Sequence, residues 1–237
     1  DDVESRGLGD VYKRQLQQAQ DLTELSSFIN DKARQMLDEG TISLDTLDST
    51  GGESLPLLEA AAPRLLKALR AKQVSGVFLI LNTHDFTDRT SGDRLPCVYL
   101  RDLDPEAASS ADNSDVMFER APAELVQAFG ITTDKAWTPA QQYLEREEDA
   151  FYVRPFQAAY ESGEQIGAAA DYGRWTTLPY TLLGDDREAI AYAQPLILDD
   201  GTVYGVLGIE MLESYMDTKL PVSYTHLRAH ETRRHLV

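Results

Sequence analysis

Near its C-terminal end the chain carries the run REAIAYAQPLILDDGTVYGVLGIEML, residues 187–212, and no other stretch narrows the fold as much. β-Branched, aromatic and small apolar residues fill two strand-length halves, and Asp199-Asp200-Gly201 separates them. An Asp-Gly pair supplies the left-handed backbone that a tight antiparallel turn demands, so the run predicts a hairpin. A two-stranded ribbon is marginal by itself in water, and further strands and a helical cover are required.

Those elements are legible upstream. VSGVFLILN, residues 74–82, and LPCVYLRD, residues 95–102, read as two antiparallel strands joined by the polar turn THDFTDRTSGDR. Ahead of them, Leu22, Leu25, Ile29, Ala33, Met36 and Leu37 recur at three- and four-residue intervals. That period predicts an amphipathic helix over 16–38, stopped by Gly40. Leu57, Leu58, Ala61, Leu65, Leu66 and Leu69 mark a second helix ending near Lys72. Pro63 inside it predicts either a kink or a start near Ala61 or Ala62. Residues 105–115 are poor in apolar side chains and read as a surface loop, whereas PAELVQAFG predicts a short helix after Pro122 that ends before Gly130. AFYVRPFQAAYESG reads as strand or turn running into a helix. Helices, a strand pair, more helices and a terminal hairpin make an α+β order.

Charge limits the partners. Asp and Glu number 40 against 22 Lys and Arg, a formal charge of −18. A surface of that sign repels phosphate backbones, and no nucleic-acid partner is expected. Cys97 is the single cysteine and lies in an apolar strand run, which predicts a buried, inert thiol rather than a disulfide or a multi-cysteine zinc site. No run approaches the roughly 18 apolar residues of a membrane span.

Both ends look foreign to what lies between. Residues 1–15 and 221–237 show no periodicity continuing into the neighbouring elements, and both resemble translated adapter sequence. They are set aside as non-native end segments. The interior then divides into N-terminal helices over 16–72 and a mixed α/β module over 73–220. His226 and His230 share a helical spacing that suits zinc, but a tail without packing partners holds ligands poorly, and no metal or cofactor is expected.

The hairpin run, with FYVRPFQAAYESG and YGRWTTLPY upstream of it, resembles the Cache sensor domains, PAS-like extracytoplasmic modules of bacterial transmembrane receptors. FERAPAELVQAFGI followed by Trp137 resembles an insertion of double-Cache members found ahead of diguanylate cyclase or kinase modules. The resemblance covers residues 16–220. It implies a long N-terminal helix rising from a membrane span outside this chain, a PAS-like central antiparallel sheet with flanking helices, and a small-molecule pocket on one sheet face. The apolar stripe of the 16–38 helix is the expected seam of a homodimer.

Candidate ligand-binding residues follow. Arg154, between aromatics, is able to present its planar fork to a carboxylate, or else to a neighbouring acid. Phe156, Trp175, Tyr180 and Tyr192 are able to wall a pocket or to serve as core. Strand alternation places Tyr99 and Arg101 on one face, and Ile190 and Tyr192 on one face of another strand. Glu210 matches the position where amino-acid-binding members carry an acid that meets an ammonium group, whereas Phe156, Gln157 and Leu182 depart from those members. The expected ligand is therefore another small carboxylate or polar metabolite as readily as an amino acid.

Two other classes stay open: a ligand-free interaction or dimerisation module, and a hydrolytic enzyme. His84 near Asp85 and Asp88 is the one histidine outside the tail, and its polar turn predicts a solvated side chain. Glu145, Glu147, Glu148 and Asp149 around Arg146 read as a solvated acidic face. No nucleophile motif or phosphate-cradling loop is present, and no catalytic residue is expected.

Overall fold

The computed structural model describes residues 17, 19–182 and 187–215. The two end segments, with His226, His230 and His235, lie outside the described residues. The fold is α+β. Eight strands form one sheet, seven of them in the order β5-β4-β3-β1-β10-β9-β7: β1 (Gly76–Leu81), β3 (Cys97–Asp102), β4 (Val116–Arg120), β5 (Thr132–Thr138), β7 (Arg174–Trp175), β9 (Glu188–Ile197) and β10 (Val203–Leu212). β8 (Tyr180–Thr181) pairs with β9 beside that path, and β2 (Arg94–Leu95) with β6 (Gln141–Gln142) forms a separate short ladder.

The predicted strand pairs are present in antiparallel register. Val77 faces Leu100, and Ile209 faces Tyr192. Gly201 adopts φ +87° in the turn, the conformation its Asp-Gly context predicts. β1 lies between β3 and β10 and is buried along its whole length, which explains its unbroken apolar run. The sheet is not wholly antiparallel, because β4 and β5 run parallel at one edge.

Helices cover both faces. On one side α1 (Thr23–Asp38) and α2 (Leu55–Lys72) pack over Val77, Leu79, Leu207 and Ile209. On the other, α4 (Ala150–Tyr160) packs over Phe78, Tyr99 and Val206. α3 (Ala123–Phe129) follows Pro122 as expected.

Three readings of the sequence are corrected. The N-terminal helix is broken at Asp21-Leu22: Leu22 leaves helical geometry at ψ 11°, and α1 starts at Thr23, whose N–H donates to the Asp21 carboxylate at 3.2 Å. Its stripe of Leu22, Leu25, Ile29 and Ala33 is buried under α2 and the sheet. α2 runs unbroken through Pro63 from Leu55, with Pro56 in its first turn. The segment 150–160, read as beginning in strand or turn, is helical throughout with Pro155 inside it. Its buried residues Phe151, Tyr152, Pro155, Phe156 and Ala159 recur at helical spacing.

Candidate functional site

Alternation along β3 and β10 sends Tyr99, Arg101 and Glu210 to the α4 face of the sheet, where Gly76 of β1 lies opposite both Arg101 and Glu210. A Cβ on Gly76 would sit 3.0 Å from Glu210 Cβ and 3.1 Å from Tyr99 Cε2, so glycine leaves the space these side chains occupy. There Arg101 donates from Nε and Nη2 to the two Glu210 oxygens at 3.0 and 3.1 Å, a bidentate fork. Its Nη1 donates to Glu119, which also takes Arg120 Nη1 at 3.2 Å. The Tyr99 hydroxyl donates to Glu210, and the Tyr180 hydroxyl donates to the same oxygen at 2.8 Å. Glu210, Glu119 and Arg101 are all buried.

Two carboxylates against two guanidiniums leave this network formally neutral, and each buried ion has an opposite partner. Burial, with the adjoining Glu210 charge, pushes both phenols well above their ordinary range. Burial works against the Arg101 charge, but Glu210, Tyr99 and Glu119 outweigh it and hold the guanidinium firmly protonated. Glu119 is pushed up by its own burial despite Arg101 and Arg120. Glu210, expected under the resemblance to meet a ligand ammonium, has both oxygens engaged by Arg101 and the two tyrosines.

Tyr180 links this network to a cleft of about 170 Å³. The cleft lies between the start of α4 and the β7–β8 connection, residues 174–181, and its lining includes Phe151, Arg154, Arg174, Trp175, Leu178 and Tyr180. The Phe151 and Tyr180 rings stack at 5.2 Å and 13°. Leu178 stands 72% exposed on the lip. Arg174 donates to the main-chain carbonyls of Asp171 and Gly173, both at 2.9 Å.

The remaining candidates take separate places. Arg154 lies on the outer side of α4, is 54% exposed, and pairs with Glu147. Phe156, two residues on, is buried in an aromatic cluster with Phe86 at 5.2 Å. Tyr192 and Trp175 are cross-strand partners at 5.5 Å, and Tyr192 belongs to the core on the α1–α2 side, away from Tyr99 and Glu210. Trp175 therefore touches both regions: it borders the cleft, and its Nε1–H donates to Gln20 Oε1 at 2.9 Å.

Glu119 and Arg120 escaped sequence reasoning. Tyr99 pairs with Arg120 and Leu100 with Phe118, so Glu119 is the extra residue of a β-bulge, which no alternation rule anticipates. Two polar features also differ from expectation. Asp149, assigned to a solvated acidic face, is buried and accepts from the Leu144 and Arg146 N–H groups at 2.8 and 3.3 Å. His84, assigned to solvent, keeps an exposed ring but binds Asp48 through Nδ1 at 2.7 Å. Asp48 is buried, which opposes its charge, but His84, the Thr83 N–H and Arg89 together hold its carboxyl below the usual range. Cys97 is buried as expected, and desolvation pushes its thiol up to about 12. Among the described residues no three His, Cys, Asp or Glu side chains converge as a metal ion requires, and no helix is long and apolar enough to cross a membrane.

No family model matches the chain, and no curated protein matches it. Among solved structures it is similar to the extracellular domain of a histidine kinase, with 11% identity and a TM-score of 0.35 over 91% of this chain. The match spans 66% of that protein, just under two thirds of its length. It is similar at the same TM-score to a methyl-accepting chemotaxis protein, with 15% identity over 94% of this chain and 70% of the other.

Proposed function

We propose that this chain is a small-molecule-sensing domain of the Cache type, from the extracytoplasmic side of a bacterial signal-transduction receptor, and that its ligand enters the cleft between α4 and the β7–β8 connection. The observation that carries this reading is the construction of that cleft. Stacked Phe151 and Tyr180 supply an apolar wall, Arg154 and Arg174 supply guanidiniums, and the Tyr180 hydroxyl is anchored through Glu210 to the centre of the sheet. An apolar cleft with a few fixed polar groups is the ordinary form of a small-molecule site. At about 170 Å³ it is smaller than drug-sized pockets and suits a carboxylate or polar metabolite of a few carbons.

A sensor passes on only the difference in ligand affinity between its two arrangements. The contact from Trp175 to Gln20 supports a route from the cleft to the start of the N-terminal helices. Any pairing of two copies through α1 uses its polar outer face, with Asp31 and Arg34, since the apolar stripe is occupied.

Thermal denaturation against a panel of small carboxylates and free amino acids tests the reading, because a ligand that binds only the folded state raises the midpoint by mass action. A stabilising ligand is expected, and Arg154→Ala, at an exposed position, abolishes the shift while its own midpoint stays near that of the parent chain. A panel without any shift, or a shift that Arg154→Ala retains, contradicts it.

A further inference from the structure

The cleft's two guanidiniums are engaged differently. Arg174 is held by main-chain carbonyls, which no ligand displaces without unfolding the turn. Arg154 is held by the side-chain carboxylate of Glu147, which also borders the cleft. Both partners are well exposed, at 54% and 72%. An ion pair in that setting contributes little and exchanges readily with solvent ions. The neighbouring Glu148 is turned toward Arg146, with 3.9 Å between Nε and Oε2.

We infer that Glu147 is an internal competitor for the ligand's acid group: it occupies the Arg154 fork in the empty domain and is displaced when a carboxylate binds. This rests on the cleft being the ligand site, and it adds a residue that sets affinity without touching bound ligand. A ligand able to take both Nη groups of Arg154 replaces a contact made through one, since Glu147 reaches Nη2 alone. The displaced Glu147 carboxylate returns to water. The arrangement therefore selects against weak single-point anions such as chloride, which gain nothing over the residue already present.

The test titrates the full chain with acetate, pyruvate and succinate by calorimetry at low salt. Glu147→Gln keeps the side chain's size and removes its charge. It is expected to tighten the best of the three probes by about two- to fivefold, the range that loss of one exposed ion pair permits. Arg154→Ala weakens that probe to the detection limit, and the double variant matches Arg154→Ala, because Glu147 acts only through Arg154. Equal affinity in the parent chain and Glu147→Gln overturns the competitor and leaves the cleft as the ligand site. A gain that persists in the double variant also overturns it, by assigning the effect to net charge. Binding of no probe to either the parent chain or Glu147→Gln rejects the cleft as a carboxylate site, and the competitor with it.

Discussion

Replacing Arg101 by Met tests how the buried network holds the sheet face beneath the cleft. Met has similar length and no charge, so packing changes little while Glu210 and Glu119 lose their shared cation. The two acids do not lose equally. Glu210 keeps the Tyr99 and Tyr180 hydroxyls, and Glu119 keeps Arg120 at 3.2 Å. One uncompensated buried charge remains, and breaking a buried pair from one side costs about 3–5 kcal/mol. For a chain of this size that corresponds to a fall in Tm of about 6–20 °C. Urea melts at pH 5, 6, 7 and 8 measure it. In the variant the stranded carboxyl has a raised folded pKa, so its protonated form contributes stability at low pH that is lost as pH rises through that value. The deficit against the parent chain should therefore grow from pH 5 to pH 8. Arg101→Met with Glu210→Gln restores charge balance and should recover more than half of the loss at pH 8. A cost below about 1 kcal/mol, well under the usual range for a broken buried pair, refutes the reasoning, as does a deficit independent of pH.

Gly208→Ala should be worse than Gly76→Ala, since the added Cβ meets Phe78 Cζ at 2.2 Å and the Tyr192 carbonyl oxygen at 2.6 Å, whereas at Gly76 the closest atoms lie at 3.0 Å. Denaturation should show a loss of about 1–3 kcal/mol at Gly76, the usual cost of overpacking, and a larger one or no folded protein at Gly208. Acid stability should divide by environment. The Arg70 guanidinium holds Asp115 well below the usual carboxylate range, so its contribution is complete above about pH 4 and is lost progressively as pH falls from there toward the depressed folded value. Asp115→Asn should shrink the drop in urea midpoint between pH 5 and pH 2, and an unchanged drop rejects the assignment. Cys97 should stay unmodified by a thiol reagent at pH 8 in native protein and react fully in denaturant, as followed by absorbance; rapid native labelling contradicts its burial.

The strands at the centre of the sheet could be read from the sequence because local chemistry and tertiary role agree there. Ile80 and Leu81 of β1, and the Asp-Gly turn between β9 and β10, have one comfortable conformation. α4 is the opposite case. Phe151, Tyr152 and Val153 favour a strand and Pro155 disfavours a helix interior, yet packing of Phe151, Pro155 and Phe156 on the sheet decides for helix. The spacing of those apolar residues was the available signal, and the proline obscured it. β5, with its polar Thr132, Thr133 and Asp134, leaves no strand pattern to read, because an edge strand needs only one buried side. For the site, alternation put Tyr99 and Arg101 on one face, whereas the approach of Glu210 to them comes from β1 pairing with both β3 and β10, which no local pattern announces. Trp175, taken from the YGRWTTLPY resemblance, borders the cleft, whereas strand parity at Tyr192 places that ring on the other face.

The position of Trp175 gives the protein an optical property of its own. The chain has two tryptophans, and their surroundings differ. Trp137, in edge strand β5, has a buried Nε1–H that meets no acceptor among the described residues. Trp175 is partly open at the cleft, lies against Tyr192, and ends on Gln20. Its emission wavelength and quenching by iodide report the polarity and access of the cleft without any attached dye. In a Trp137→Phe background the whole tryptophan emission comes from that one indole, and occupancy of the cleft becomes visible in an ordinary cuvette.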